Sequence, residues 1–225
     1  MHINDLYNDN FIRGIKDYFY LINKNFPEKG SLKLVGDRYK LSGEQRTVLY
    51  RGISSEKFSE LRKNKLTEKP VSPIIVDGYN VLFTILNYRL GRFVFISNDN
   101  ICRDAGSLFG KIRNEKLFKE CTLLLTQFLS STMKEYEIII YLDIPVSSSR
   151  KHIYIIEKEI NSFNLKAKVI AIKSADNAIR KHTVGTIATS DTAIIDSTSN
   201  PIFDIPRTII ESYFDNKLAN LKEFL

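Results

Sequence analysis

The sequence predicts an α/β protein, a three-layer α/β/α sandwich with a mostly parallel sheet, preceded by a small helical module. Three observations carry that prediction. After residue 73, short apolar runs alternate with stretches of helical periodicity, the pattern of a parallel sheet whose crossovers are helices. One of these runs, Glu137 to Leu142, is almost continuously apolar, as expected of a strand covered on both faces. Residues 1–70 carry helix signatures instead and end in a segment with two prolines, Thr67 to Pro73.

The front module reads as follows. Phe11, Ile15, Tyr18, Phe19, Ile22 and Phe26 recur at three- and four-residue spacing, which puts them on one helical face over 8–26; Pro27 and Gly30 are expected to end that helix. Ser42 followed by Gln45 is a capping-box signature for a second helix, with Val48 and Leu49 facing a core. Ser54 to Leu66 reads as a third, polar helix. The expected division is therefore a basic helical module over 1–70 and an α/β domain over 71–225. Of the net charge of +7, residues 1–70 carry +5, and such a basic surface suits a polyanion such as nucleic acid. Arg46 and Arg51, sharing a face with Lys40, are candidate substrate contacts.

In the second region, Ile74 to Val76 is an apolar run that stops at Asp77, turns on Gly78 and resumes as a short helix over Val81 to Leu86. Arg92 to Ser97 and Ile101 to Asp104 flank Asn98-Asp99-Asn100 and predict a β-hairpin, read as an insertion at 92–104. Leu117 to Met133 is amphipathic and helical. The strand over 137–142 ends at Asp143, and Ser147, Ser149 and Arg150 at the start of the next helix (150–163) are candidates to hold a phosphate. A strand over 166–172, a helix start over 174–179 containing Asp176, a short strand over 185–189 ending at Ser190-Asp191, and a helix or turn from Thr192 follow. Phe203 to Leu225 reads as a strand-like connection and a final helix.

Composition narrows the chemistry. The chain has 225 residues, 43% hydrophobic and 26% charged, enough for one substantial core. Its two cysteines, Cys102 and Cys121, form no CxxC pair, so neither a disulfide framework nor a structural zinc site is expected. No leader-like start and no apolar run of about 18 residues occurs. A soluble cytoplasmic protein that does not engage membranes is expected, its oligomeric state left open, a homodimer included. No glycine-rich phosphate loop or dinucleotide fingerprint is present, and His2, His152 and His182 lie in no triad-like pattern. A phosphatase of the haloacid dehalogenase type would need a second aspartate where this chain has Tyr79, and a toprim-type domain an Asp-x-Asp pair that is lacking.

Four aspartates, Asp77, Asp143, Asp176 and Asp191, fall at or near strand ends and helix starts, which an open α/β sheet gathers at one edge. Carboxylates brought that close repel unless compensated, and oxygen-only ligation favours Mg²⁺ or Mn²⁺ over zinc. Such an ion suits phosphodiester hydrolysis.

The segments Val-Asp-Gly-Tyr-Asn-Val (76–81), Tyr-Leu-Asp (141–143), Ala-Asp-Asn-Ala-Ile (175–179) and Ala-Thr-Ser-Asp (188–191), in this order, resemble the motifs of PIN-like nucleases, particularly their NYN branch, over residues 73–200. The resemblance implies a ribonuclease in which Asp77, Asp143, Asp176 and Asp191 bind Mg²⁺ or Mn²⁺ and cleave RNA, with Asn80 orienting one of them and Ser190 and Asp104 in support. A PIN-like domain that has lost turnover and serves as an RNA-binding or assembly module is the alternative. This chain departs from many PIN nucleases in lacking an evident acid on the helix after the first strand, a role for which Asp104, Glu115 and Glu120 are candidates. Residues 34–53, including Arg46 and Arg51, also resemble the helical front part of an uncharacterised prokaryotic family in which it precedes such a domain.

Overall fold

The computed structural model describes residues 8–106, 114–144 and 149–225, the Ser149 side chain excepted. The chain forms two compact units. One comprises residues up to Asn64, Leu90–Gly106 and Lys217–Leu225; the other comprises Lys65–Arg89 and Ser107–Asn216.

The first unit opens with helix α1 (Asp9–Asn23), capped by the Asn8 side chain on the Phe11 N–H. Its predicted apolar face is the one buried: Phe11, Ile15, Tyr18 and Ile22 pack with Val35, Leu41, Val48, Leu49, Ile53, Phe95 and Leu221. Phe26, expected on that face, lies past the helix end and is exposed. A second helix, α2 (Glu28–Arg38), was not expected, because Pro27 and Gly30 read as terminators. Pro27 instead occupies the N-cap position, and a proline at a helix start sacrifices no intrahelical bond. The predicted capping box is present: Ser42 Oγ accepts from the Gln45 N–H and Gln45 Oε1 from the Ser42 N–H, opening α3 (Gly43–Gly52). Helix α4 (Glu56–Lys63) follows.

The predicted hairpin also forms, as strands β2 (Val94–Ile96) and β3 (Cys102–Asp104) paired antiparallel. It is not an insertion carried by the α/β domain, as its place in the sequence suggested. It belongs to the first unit, where β2 also pairs in parallel with β7 (Ala219–Asn220), ahead of a single 3₁₀ turn over Leu221–Phe224. The polar turn between its strands is buried. Asn98 exchanges hydrogen bonds with the backbone of Ser54, and Asp99 accepts a bidentate pair from Arg103 at 2.7 and 2.8 Å with Arg62 at 3.5 Å. The final helix expected within Phe203 to Leu225 forms over Ile205–Tyr213, in the second unit, and the chain then ends in this strand and 3₁₀ turn.

The second unit is the expected α/β fold. Strands β1 (Ile74–Asp77), β4 (Ile138–Asp143), β5 (Ala167–Ile172) and β6 (Thr186–Ala188) make an all-parallel sheet in the order β5-β4-β1-β6. The chain steps outward from β1 to β4 to β5, then returns across the sheet to β6. Right-handed crossovers place helices on opposite faces for the two directions of travel. Accordingly α5 (Gly78–Arg89), α6 (Glu115–Thr132), α7 (Ser149–Ser162) and α10 (Ile205–Tyr213) supply side chains to the core over Ile74, Val76, Ile138, Ile140 and Leu142. The returning helix, α8 (Ala175–Ile179), packs on β4, β1 and β5, where Ile75, Ile139 and Tyr141 alternate to the other face. Helix α9 (Thr192–Ser197) follows β6. The direction of winding reverses between β1 and β6, and at such a switch point the loops beyond the carboxyl ends part to leave a crevice.

Candidate functional site

Asp77 is the last residue of β1 and is almost wholly buried. It sits there because Gly78 lets the chain pass directly over β4: a Cβ on Gly78 would meet Leu142 at 2.6 Å and both Ile140 and the Tyr141 carbonyl at 2.9 Å. Two donors hold the carboxylate. Thr189 Oγ1 donates to Oδ2 at 2.9 Å, and the Asn80 N–H reaches Oδ1 at 3.5 Å. Thr189 Oγ1 also accepts the Asp191 N–H at 3.1 Å, so one hydroxyl links the aspartate of β1 to the loop after β6. Asn80 makes the second link across the switch point, its Oδ1 accepting from the Ser190 N–H at 2.8 Å and Ser190 Oγ at 3.0 Å.

Asp191 and Asp143 are anchored through one oxygen each. Asp191 caps α9, Oδ1 accepting from the Ala193 and Ile194 N–H groups at 2.7 and 3.2 Å. Asp143, at the end of β4, accepts the Ala175 N–H at 2.8 Å through Oδ1. Oδ2 of Asp143 and of Asp191 makes no hydrogen bond among the described residues. Asp176 lies in the first turn of α8, half-buried. The Ser174 side chain caps that turn by accepting the Asn177 N–H.

Electrostatics ties the four together. Burial pushes the Asp77 carboxyl up to about 7, against the Thr189 hydroxyl and the Asn80 N–H, and the negative charges of Asp176 and Asp191 push it the same way. Asp176 is raised by burial, then by Asp191 and Asp143, with Arg180 opposing. Asp143 also helps to raise the Tyr79 hydroxyl, for which burial is the larger cause. The four aspartates therefore share one anionic field at the carboxyl edge of the sheet. They are not drawn into a closed cage: among the described residues, no three His, Cys, Asp or Glu side chains form a ready-made coordination group.

The remaining expected residues have the following places. Asp104 belongs to the first unit, buried on β3, where it accepts from Arg51 at 3.4 Å and from the Gly106 N–H at 2.9 Å. Arg51 is thereby tied to a carboxylate. Arg46 donates to the Leu41 carbonyl and to Asp37, and its guanidinium lies where a Cβ on Gly36 would be. Glu115 is paired with Lys151 and Glu120 with Arg89, both near the surface. Arg150 is exposed at the start of α7, while Ser147 and the Ser149 side chain lie outside the described residues. The residue the sequence reading passed over is Thr189. A hydroxyl at a strand end, two residues before an acid, can accept that acid's N–H in a local turn, and that spacing was the available signal.

Fold and site together define an α/β protein with a parallel four-stranded sheet and a group of aspartates at its carboxyl edge. Residues 65–208 match the domain of unknown function DUF5616, and the chain belongs to that family. Residues 10–65 match DUF434, a protein of unknown function. The junction between the two matches falls where the structure divides, between Asn64 and Lys65. The chain is 34% identical over 188 residues to the uncharacterized protein MJ0935 of Methanocaldococcus jannaschii, covering 81% of this chain and 87% of that one. No solved structure matches. Among the described residues, no helix is long and apolar enough to cross a membrane.

Proposed function

We propose that the chain is a metal-dependent ribonuclease of the PIN-like type, acting in the cytoplasm and hydrolysing phosphodiester bonds of RNA with Mg²⁺ or Mn²⁺ held by Asp77, Asp143, Asp176 and Asp191. The observation that supports this reading best is the coupling of a buried Asp77, raised to about 7, to two further aspartates. Burial and anionic neighbours both penalise the ionised form, and the charge of a divalent cation would offset both. The donor set fits a hard cation: all its ligating atoms are oxygens, and among the described residues Oδ2 of Asp143 and of Asp191 accepts no hydrogen bond.

A bound ion would lower the pKa of a coordinated water and neutralise charge on the phosphate. The protein's part is positional. Thr189 fixes the rotation of the Asp77 carboxylate, Asn80 clamps the loop after β6 through Ser190, and the backbone of α8 and α9 fixes Asp143 and Asp191. Arg46 and Arg51 bind RNA, in this reading, only in competition with Asp37 and Asp104.

The test is cleavage of a labelled single-stranded RNA by purified protein in Mn²⁺ and in Mg²⁺. Activity should vanish with EDTA and fall at least a hundredfold in Asp77→Asn and Asp191→Asn, both folded. Activity unchanged from wild type in both variants would refute the assignment and indicate a contaminating nuclease. Cation-independent RNA binding without cleavage would favour the non-catalytic module.

A further inference from the structure

We propose that the face of the sheet beside the aspartates carries a nucleotide pocket that takes an unpaired base of single-stranded RNA and the phosphate attached to it. The proposal rests on the reading of the chain as an RNA-acting protein. It names a site for the nucleotide that none of the four aspartates forms.

The pocket is an open cavity of about 490 Å³, within the range of small-ligand sites. Its apolar part comes from Ile170 and Ile172 on β5 and from Ala178 on α8. Strand alternation explains the position: Tyr141 pairs in register with Ile170, so both stand on the face opposite Ile140 and Leu142, which are in the core. The edge position of β5 leaves this face half-covered, with Ile170 and Ile172 only partly buried. An aromatic surface is held in place there, because Tyr141 Oη and His182 Nε2 share a hydrogen bond at 3.0 Å and their rings lie 5.7 Å apart. Base stacking needs a rigid π-surface of this kind.

The polar part has the complementary charge. Lys173 and Lys181 line the same cavity and are exposed, and neither forms an ion pair among the described residues. Several lysines elsewhere in this unit are paired, including Lys151, Lys166 and Lys168. Asn177, also lining the pocket, offers an amide that can hydrogen-bond any base edge.

Placement links the pocket to the acids. Asp176 lies between Ala175, whose N–H binds Asp143, and Asn177, which lines the cavity. The helix that carries an aspartate of the anionic group thus carries two pocket residues, Asn177 and Ala178, with Lys181 just past its end. A chain of RNA seated by one nucleotide here passes its next phosphates along α8 toward the carboxylates. Apolar floor, aromatic surface and unpaired cations together select a base with a phosphate over an uncharged ligand or a paired duplex, whose bases are not free to enter.

The experiment titrates a fluorescein-labelled single-stranded octaribonucleotide in EDTA, so that no cleavage intervenes, and in parallel measures cleavage with Mn²⁺. Lys173→Ala with Lys181→Ala should weaken binding about tenfold and reduce the steepness of its salt dependence by about one. Ala178→Phe, which fills the apolar part, should also weaken binding about tenfold. An abasic octamer of the same charge should bind the wild-type protein about tenfold more weakly, and should not distinguish it from Ala178→Phe. If Ala178→Phe fails to fold, the exposed lysine pair and the abasic ligand still decide. Unchanged affinity in the lysine pair, equal binding of the abasic octamer, or equal binding of a paired duplex would each overturn the pocket. Pocket-dependent binding with no cleavage in any cation would sink the nuclease reading and leave the pocket standing; cleavage with pocket-independent binding would do the reverse.

Discussion

Replacing Asp77 by Asn should stabilise the metal-free protein at alkaline pH, because the native carboxylate is held where its charge is costly. Its pKa moves from 3.8 to about 7 on folding, a difference worth about 4 kcal/mol at about 1.36 kcal/mol per unit. The raised value means that the folded state binds the proton more tightly than the unfolded state. Stability from this group is therefore full below about pH 4, declines as pH rises toward 7, and stays low above it. Asn has no proton to lose, and its side-chain oxygen still accepts from Thr189. The difference in unfolding free energy between Asp77→Asn and wild type should then swing in the variant's favour by up to about 4 kcal/mol between pH 4 and pH 8. Urea unfolding in EDTA across that range measures it. Saturating Mn²⁺ should narrow that gap: at a hundred times Kd it stabilises wild type by about 2.7 kcal/mol and leaves the variant unmoved. Parallel pH profiles for the two proteins in EDTA would refute the argument, since they would mean that Asp77 ionises in the fold as easily as in water.

Two further perturbations probe the supports. Thr189→Val keeps the shape but removes the donor to Asp77 and the acceptor for the Asp191 N–H; it should cost about 1–3 kcal/mol and shift the pH midpoint of Mn²⁺-induced stabilisation upward, read by thermal melts with and without the ion. Gly78→Ala drives a methyl into Leu142, Ile140 and the Tyr141 carbonyl and should cost about 2 kcal/mol or more; a urea midpoint equal to wild type would show that the turn over β4 has room to spare.

The acids were named from the sequence together with Asn80 and Ser190, while Thr189 was not, for a reason that lies in how each signal is stored along the chain. A buried parallel strand advertises itself locally, so Ile74 to Val76 and Ile138 to Leu142 were readable, together with the aspartates that end them. Strand order is not local. That β6 lies beside β1, bringing Asp191 to Asp77, follows from the reversal after β5 and from handedness, neither of which a single segment encodes. The same limit misplaced the hairpin: its strands were readable, but its partner β7 lies more than a hundred residues further on. Helix α2 failed for a different reason. Its proline and glycine have two meanings, and only packing chooses between them; Pro27 serves as the N-cap and Gly30 lies within the helix, where a Cβ would meet nothing within 4 Å. Thr189 combines both difficulties. Its hydroxyl makes a local bond to the Asp191 N–H, a pattern the sequence permits but does not require, and a bond across 112 residues to Asp77 that only the fold supplies. The site is thus built from locally encoded charges held by globally encoded contacts. For that reason a variant that preserves every aspartate, such as Thr189→Val, tests the geometry more sharply than the removal of any one of them.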